Sequence, residues 1–275
     1  MDLTDEQWAL IAPLFPPEEF KKPGLKGGRP WRHPREVLNG VLWVLRAGCA
    51  WFRLPGCYPA YQTCHRRWTK WCKSKIMEKV LRRVAEDLRD RGKLDLTEAY
   101  IDGTHAPAKK RGLEVGKTRA GKATKIMAVA DRNGLPIFVG IASGEKHETT
   151  LAYKTFKSCF TGQLPRNLIG DKAYDSAALT KELARLGVRL ISPHRSGRIA
   201  KTQDGRRLRR YRHRWRVERM FSWLKRFRRI CTRWDRNADF PWIRSTGRLY
   251  SIAQGVKRPV LVGQLARPNK CAAFF

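Results

Sequence analysis

The chain has 275 residues, of which 42% are hydrophobic, so it can bury a sizeable core and wholesale disorder is excluded. Its charge is unusual, because 58 Lys and Arg stand against 24 Asp and Glu and give a formal net charge of +34 at pH 7. Such an excess favours a polyanionic partner, and nucleic acid is the expected one, with an anionic membrane surface as the weaker alternative.

Neither a membrane span nor a secretion signal is expected. The longest apolar run, VLNGVLWVLRAG, has 12 residues and contains Arg46, so it is too short to cross a bilayer. The acidic, amphipathic start MDLTDEQW lacks the features of a signal peptide. Seven cysteines without a Cys-x-x-Cys pair indicate reduced thiols, so we expect a cytoplasmic, nucleoid-associated protein.

Residues 1–92 are predicted to form a small all-α domain. Thr4 and Gln7 are spaced for a capping box at the start of the first helix. After a Pro/Gly/Lys-rich loop, a second helix is predicted with Pro34 in its first turn and Gly48 at its end. Two further helical segments follow, AYQTCHRRWTKWC and KIMEKVLRRVAEDLRDRG. A helix-turn-helix DNA-binding domain and a scaffold that braces or dimerises the main domain both fit this composition.

Residues 93–236 alternate between strand and helix patterns. EAYIDGT is predicted as a short strand ending at Asp-Gly, and GLEVGKTRAGKAT as a basic loop. KIMAVAD and LPIFVGIAS are predicted strands joined by a hairpin turn at DRNGLP. A predicted helix, TTLAYKTFKSCF, and a predicted strand, NLIGDKAYDS, follow. The helix AALTKELARLG, the strand VRLIS and a final helix, YRHRWRVERMFSWLKRFRR, complete the pattern. This order predicts an α/β domain with the mixed sheet and flanking helices of the ribonuclease-H-like fold.

Three carboxylates stand where this fold could bring them together. Asp102 follows the first predicted strand, Asp171 follows the fourth, and Glu218 lies on the last helix. Mg²⁺ prefers oxygen ligands, and two such ions about 4 Å apart can activate a water and stabilise the leaving oxygen in phosphodiester cleavage. Taken singly, each acid has an ordinary explanation: a turn, a helix cap and a surface ion pair. Asp175 or Ser176 is the better cap for the helix after Asp171, so the conjunction of the three acids favours catalysis.

The segment that holds Glu218 is the most basic part of the chain. Between residues 206 and 229 there are twelve Lys or Arg and a single acid. A helical wheel places four polar residues on one face of the helix: Tyr211, Arg214, Glu218 and Lys225. The opposite half of the helix is apolar. We interpret the acid as a metal ligand and the surrounding cations as contacts to DNA.

These motifs resemble those of bacterial insertion-sequence transposases of the DDE type, in the IS4/IS5-like group. The resemblance is carried by three motifs. Two are the segments YIDGTHAPAKK and LIGDKAYDS. The third is the family signature Tyr-x2-Arg-x3-Glu-x6-Lys, which is matched by Tyr211, Arg214, Glu218 and Lys225. The segments LTDEQWALIAPLFPP and WFRLPGCYPAYQTCHRRWTKW are similar to that group's helical leader domain, so the resemblance covers residues 3–236. Residues 237–275 depart from it, because they form a basic, Gly/Pro-interrupted tail where such proteins usually end in an apolar helix.

The resemblance implies a DNA transposase that cleaves the ends of its insertion sequence and transfers the freed 3′-OH strands to target DNA by two-metal chemistry. Asp102, Asp171 and Glu218 would be the catalytic, metal-holding residues, with Mg²⁺ as the cofactor and Mn²⁺ as its substitute. Six residues are assigned to DNA contacts: Tyr211, Arg214, Lys225, Lys109, Lys110 and Arg212.

The implied partners are double-stranded DNA, as terminal inverted repeats and as target, and further copies of the chain in a homodimer or higher oligomer on DNA. No membrane partner is expected. Three alternatives remain open: a ribonuclease-H-like nuclease without strand transfer, a non-catalytic basic DNA-binding protein, and a degenerate, inactive transposase copy.

Overall fold

The computed structural model describes residues 2–20, 31–157, 161–197, 205–226 and 228–234. The middle of the predicted Pro/Gly/Lys-rich loop, residues 21–30, and the tail predicted at residues 237–275 lie outside these ranges.

Four helices form the N-terminal part: α1 (Asp5–Ile11), α2 (Pro34–Ala47), α3 (Tyr61–Lys73) and α4 (Ile76–Asp90). The predicted capping box is confirmed, because the Thr4 hydroxyl accepts the Gln7 N–H and the Gln7 side chain accepts the Thr4 N–H. Gly48 ends α2 with a left-handed φ of 65°, as predicted.

Six strands form one mixed sheet: β1 (Glu98–Pro107), β2 (Gly116–Thr118), β3 (Gly121–Asp131), β4 (Pro136–Ser143), β5 (Asn167–Ile169) and β6 (Arg189–Ile191). Strand β1 lies at its centre, antiparallel to β3 on one side and parallel to β5 on the other. Strands β2 and β4 pair with β3, and β6 pairs with β5. Four antiparallel strands, of which β2 is a short three-residue addition, followed by two parallel ones confirm the predicted ribonuclease-H-like α/β fold.

Two local predictions in this sheet are wrong. Strand β1 does not end at Asp102, because it pairs with β3 from Ala99 to Pro107. This long-range pairing outweighs the local turn preference of Asp-Gly. The segment predicted as a basic loop contains β2 and the start of β3, joined by a tight turn in which Gly121 has a φ of 106°.

Helices cover both faces of the sheet. One face packs against α5 (Glu148–Lys157) and α6 (Ala177–Arg185). The other packs against the N-terminal helices, α8 (Trp215–Leu224) and α9 (Arg228–Cys231), with the short α7 (Gly205–Leu208) preceding them. Successive residues of a strand point to opposite faces, so Tyr100 joins the core on the α8 side and Ile101 joins the core on the α5 side.

The domain boundary predicted after residue 92 stays a prediction. The N-terminal helices share their core with the sheet, since Val37 of α2 and Ile126 of β3 belong to one buried cluster. In the part of the chain that the structure describes, no helix has the length and apolar character needed to cross a membrane.

Candidate active site

The pairing of β1 with β5 places two of the predicted acids at the same edge of the sheet. The last pair between these parallel strands is Tyr100 with Ile169. Asp102 and Asp171 each stand two residues beyond that pair, so both leave the strands at the same level. Strand β1 continues while β5 ends, and this leaves a notch beside β1, which we call the β5 notch.

Asp102 is held with its carboxylate partly buried in this notch. Its Oδ1 accepts the N–H of Gly103 at 2.8 Å. Burial raises the pKa of Asp102 to about 6, although the Gly103 N–H and the Arg214 guanidinium act against this shift. The nearby Glu148 and Asp171 carboxylates raise this pKa further. The charged form of Asp102 is therefore stabilised only in part.

Asp171 begins a 3₁₀ turn, and its Oδ1 accepts the Ala173 N–H at 2.9 Å. The predicted cap at Ser176 is confirmed, since its hydroxyl accepts the N–H of Leu179 at the start of α6. The same prediction for Asp175 is wrong, because its carboxylate accepts the Arg195 N–H at 2.9 Å. That partner is distant in sequence and leaves no local signal.

The three predicted acids meet at Arg214. Its guanidinium lies 3.6 Å from Asp102 Oδ2, 3.5 Å from Asp171 Oδ2 and 2.9 Å from Glu218 Oε1. Burial would lower the pKa of Arg214, but the hydrogen bond to Glu218 and the charge of Asp102 outweigh it and raise this pKa. A permanently charged cation thus holds together three carboxylates from separate elements.

The local fold around Arg214 differs from the predicted helix. Helix α8 begins at Trp215, and Tyr211 lies in a preceding 3₁₀ turn at Arg209–His213. The helical wheel therefore does not apply to Tyr211, whose ring centroid lies 5.9 Å from the Arg214 guanidinium. The predicted apolar half is buried at five positions: Val217, Met220, Phe221, Leu224 and Ile230.

The remaining residues assigned to DNA contacts lie apart from the acids. Arg212 is exposed, and its Nε donates a hydrogen bond to Nε2 of His213 at 3.3 Å. Lys225 is exposed at the end of α8, and within the described ranges it forms no ion pair with the three acids. Lys109 and Lys110 are exposed beyond the end of β1, which carries them away from Asp102 at about 3.3 Å per residue. Their role in DNA binding stays a prediction.

Glu148 is a further acid at this site that the sequence did not reveal. It is the first residue of α5, and its Oε1 lies 3.6 Å from Lys125 Nζ. Its only local signal is an acid in the first turn of a helix, which is ordinary, because negative charge is favoured there.

The donor chemistry of the site suits a hard divalent cation, since every acidic ligand offers carboxylate oxygens. Among the residues that the structure describes, no three His, Cys, Asp or Glu side chains close together tightly enough to hold a metal ion. The Arg214 guanidinium lies between the predicted ligands instead. Cation binding would therefore require Arg214 to give up these contacts.

Two family models match successive parts of the chain. The model described as "Putative transposase of IS4/5 family (DUF4096)" matches residues 3–81. The model described as "Transposase DDE domain" matches residues 94–240, which is more than half of the chain. The chain therefore belongs to the transposases with a DDE domain, and its N-terminal part is similar to the IS4/5 family.

Individual relatives cover only part of the chain. The "Insertion element IS402 uncharacterized 16.2 kDa protein" of Burkholderia cepacia is 31% identical over 119 residues, which are 42% of this chain and 80% of that protein. The piggyBac transposase synaptic complex with hairpin DNA matches at 13% identity and a TM-score of 0.40, over 74% of this chain and 52% of that chain. The catalytic domain of Mos1 mariner transposase matches at 13% identity and a TM-score of 0.27, over 65% of this chain and 92% of that chain. The chain thus spans about half the length of the piggyBac protein.

Proposed function

We propose that the chain acts as a metal-dependent DNA transposase, which cleaves the ends of its insertion sequence and joins the freed 3′-OH strands to target DNA. The observation that supports this most is the convergence of Asp102, Asp171 and Glu218 on Arg214. These acids come from a central strand, a strand end and a distant helix. Carboxylates that lie close together repel one another, and such arrangements occur where a site needs negative charge.

In this proposal Asp102, Asp171 and Glu218 hold Mg²⁺, with Mn²⁺ as a substitute. Bound divalent cations would supply Lewis-acid stabilisation of the phosphodiester and would favour the deprotonated form of the attacking water or 3′-OH. Asp102 is the most constrained ligand, because it lies on a central strand and its side chain is 16% exposed. Glu218, at 54% exposed, has the most freedom to adjust.

Arg214 is proposed to exchange partners during the reaction. It compensates the three carboxylates when no other cation is present. When a cation replaces it there, its guanidinium is free to bind a DNA phosphate with two parallel hydrogen bonds. Tyr211, whose ring lies beside the Arg214 guanidinium, would limit the directions in which this side chain can turn.

The proposed partner is double-stranded DNA, both the terminal inverted repeats and the target. Exposed cations outside the acid cluster would bind the phosphate backbone without sequence preference: Lys109, Lys110, Arg212 and Lys225. We also propose that the chain works as a homodimer or higher oligomer on DNA and is located in the cytoplasm with the nucleoid.

Helix α3 is a second surface proposed to bind DNA. Its sequence contains no acid, and a groove along it is lined by His65, Arg66, Thr69, Lys70, Lys73 and Ser74. Residues 48–60 separate α2 from α3, so these helices do not form the short turn of a helix-turn-helix motif. The acid-free face nevertheless suits a phosphate backbone better than it suits a purely structural scaffold.

The test is cleavage of a labelled duplex that carries the inverted repeats bracketing the gene, with Mg²⁺ or Mn²⁺. We expect Asp102→Asn, Asp171→Asn and Glu218→Gln each to reduce cleavage by at least about 100-fold, because each removes a charge from the cation site, while a gel shift shows DNA still bound. Glu182→Gln, an exposed acid on α6, is the matched control and should cleave normally.

The products distinguish the alternatives. Joined strands support a transposase, whereas cut but unjoined strands indicate a nuclease. DNA binding without cleavage by the parent chain would contradict the enzymatic proposal and favour a DNA-binding protein or an inactive copy. Normal cleavage by the Asp102 variant would show that the three acids are wrongly assigned.

A further inference from the structure

Glu148 approaches the β5 notch from the opposite face of the sheet to Arg214. It begins α5, which covers the face that Ile101 joins, whereas α8 carries Glu218 on the other face. Its side chain is 19% exposed and its Oε1 lies 3.6 Å from Nζ of Lys125, which is 8% exposed. Lys125 also donates a hydrogen bond to the Lys146 carbonyl at 2.8 Å, so it fixes the chain that leads into α5.

Gly103 makes this approach sterically feasible. A Cβ at this position would lie 2.8 Å from Glu148 Oε1 and 3.0 Å from Met127 Sδ. Gly103 lies inside β1, so its lack of a side chain serves a close approach and not a turn. The Glu148 carboxylate therefore lies against Gly103, the residue that follows Asp102 on β1.

Tyr174 is a buried side chain that interacts with the Glu148 carboxylate. Its side chain is fully buried, and within the described ranges its hydroxyl has no hydrogen-bond partner of normal geometry. Burial raises the pKa of Tyr174, and the charges of the Glu148, Asp102 and Asp171 carboxylates and a side-chain interaction with Glu148 raise it further. Buried hydroxyls are nearly always hydrogen-bonded, so this hydroxyl is available to donate to the Glu148 carboxylate or to a bound water.

The charges around the notch are not balanced. Among the ion pairs of the described residues, those at the notch join four carboxylates, from Asp102, Glu148, Asp171 and Glu218, to two cationic side chains, Arg214 and Lys125. If Arg214 turns to DNA, Lys125 is the cation of these pairs that stays in place. A divalent cation would restore the balance.

We propose that Glu148 is a fourth carboxylate of the cation site, poised by Lys125 and Gly103 to help hold a divalent cation beside Asp102. Glu148 has a longer and more adaptable side chain than Asp102, so it can close on an ion by leaving Lys125. This proposal rests on the proposed cation-dependent function. The experiment that tests it measures the affinity for a divalent cation and does not depend on DNA cleavage.

The experiment titrates Mn²⁺ into the full-length, EDTA-treated chain and follows binding by calorimetry and by the rise in Tm. We expect Glu148→Gln to weaken Mn²⁺ binding by at least about 10-fold. The matched control is Glu145→Gln, which changes an exposed acid in the loop that precedes α5. This variant should bind Mn²⁺ as the parent does.

Two further variants separate a cation role from a structural ion pair. Gly103→Ala should weaken Mn²⁺ binding while keeping all four carboxylates, because its methyl group displaces the Glu148 side chain. Lys125→Met should strengthen Mn²⁺ binding, because it removes the cation that competes for Glu148. Unchanged Mn²⁺ affinity in these variants, with a similar fall of Tm in EDTA for Glu148→Gln and Lys125→Met, would overturn the proposal and leave only an ion pair.

Asp102→Asn is the reference that separates the two proposals. If it weakens Mn²⁺ binding and Glu148→Gln does not, the fourth ligand is excluded and the proposed cation site remains. If neither variant changes Mn²⁺ binding, both the fourth ligand and the proposed cation site are excluded.

Discussion

At Asp102 a single side chain shows the conflict between folding and a cation site. Its place on the central strand withdraws the carboxylate from water, which disfavours the charge that a cation would need. Arg214 relieves part of this cost but also occupies the position between the acids. Function at this site would then be obtained at the expense of stability, as is common where like charges are gathered.

The first prediction concerns the stability of Asp102→Asn in EDTA. The pKa of Asp102 is raised from 3.8 to about 6 in the folded state, so the folded protein binds this proton more tightly than the unfolded chain does. This stabilisation is complete below pH 3.8 and is lost as pH rises through about 6. Above about pH 6 the parent therefore loses on the order of 2–3 kcal/mol of its free energy of unfolding, whereas the variant with a neutral Asn does not.

Urea unfolding between pH 5 and 8 measures this difference, at about 0.5-unit steps. Asp102→Asn should be the more stable protein at pH 7.5, and its advantage should shrink towards pH 5. Glu182→Gln, an exposed acid, should show no such trend. A less stable Asp102 variant at pH 7.5 would mean that the ion pair with Arg214 outweighs burial.

At the scale of elements, local pattern predicted most of the helices and strands and the order in which they occur. It was least reliable where distant segments decide the outcome. Strand β1 continues past Asp-Gly because β3 pairs with it, and Asp175 binds Arg195 across a loop. The break between Tyr211 and α8 has a similar origin, since Arg214 turns inward to carboxylates on other elements.

The candidate site was predictable to the same extent. The order of three acids along a recognisable fold indicated that Asp102, Asp171 and Glu218 could meet. Glu148 was not predicted from the sequence, because its position depends on a close approach to Gly103, and the Asp-Gly pair there resembled a turn. The helical wheel placed Arg214 on the face of Glu218, but its contacts with Asp102 and Asp171 left no local signal, because those acids lie on distant elements.

The prediction at this scale concerns the acid-free face of α3. The double change Arg66→Ala and Lys73→Ala removes two exposed cations and leaves the buried face of α3, with Trp68 and Trp71, intact. We expect weaker binding to duplex DNA and a reduction of the salt slope by about 2, because each phosphate contact releases about one counterion. Fluorescence anisotropy at several salt concentrations measures both quantities.

The matched control for α3 is Lys181→Ala with Arg185→Ala, two exposed cations on α6. It lowers the net charge by the same amount on a helix without the proposed role. Thermal unfolding should show that both double variants fold, since exposed substitutions usually change stability by less than about 0.5 kcal/mol each. Equal losses of DNA affinity in the two double variants would mean that only net charge matters and that α3 has no special role.

For the whole molecule, the net charge of +34 links folding to binding. Like charges spread over one compact chain repel one another, so the free protein is destabilised by its own surface. The same surface lowers the free energy of a complex with DNA by releasing counterions. A polyanion is therefore expected to stabilise the fold as well as to be recognised by it, in proportion to its affinity for the folded chain.

The last prediction uses salt to separate these two effects. Added NaCl screens the repulsion, so the Tm of the free chain should rise with salt. Binding to a duplex of unrelated sequence should weaken in the same series, by about 10³- to 10⁵-fold between about 50 and 200 mM salt if about 6–10 phosphates are neutralised. The residues from 195 to 236 alone contain 17 Lys or Arg against 3 acids, so contacts of this number are available. A DNA affinity that does not change with salt would refute a surface that binds the phosphate backbone. A Tm that falls with salt would show that ion pairs such as those of Arg214 stabilise the chain more than its net charge destabilises it.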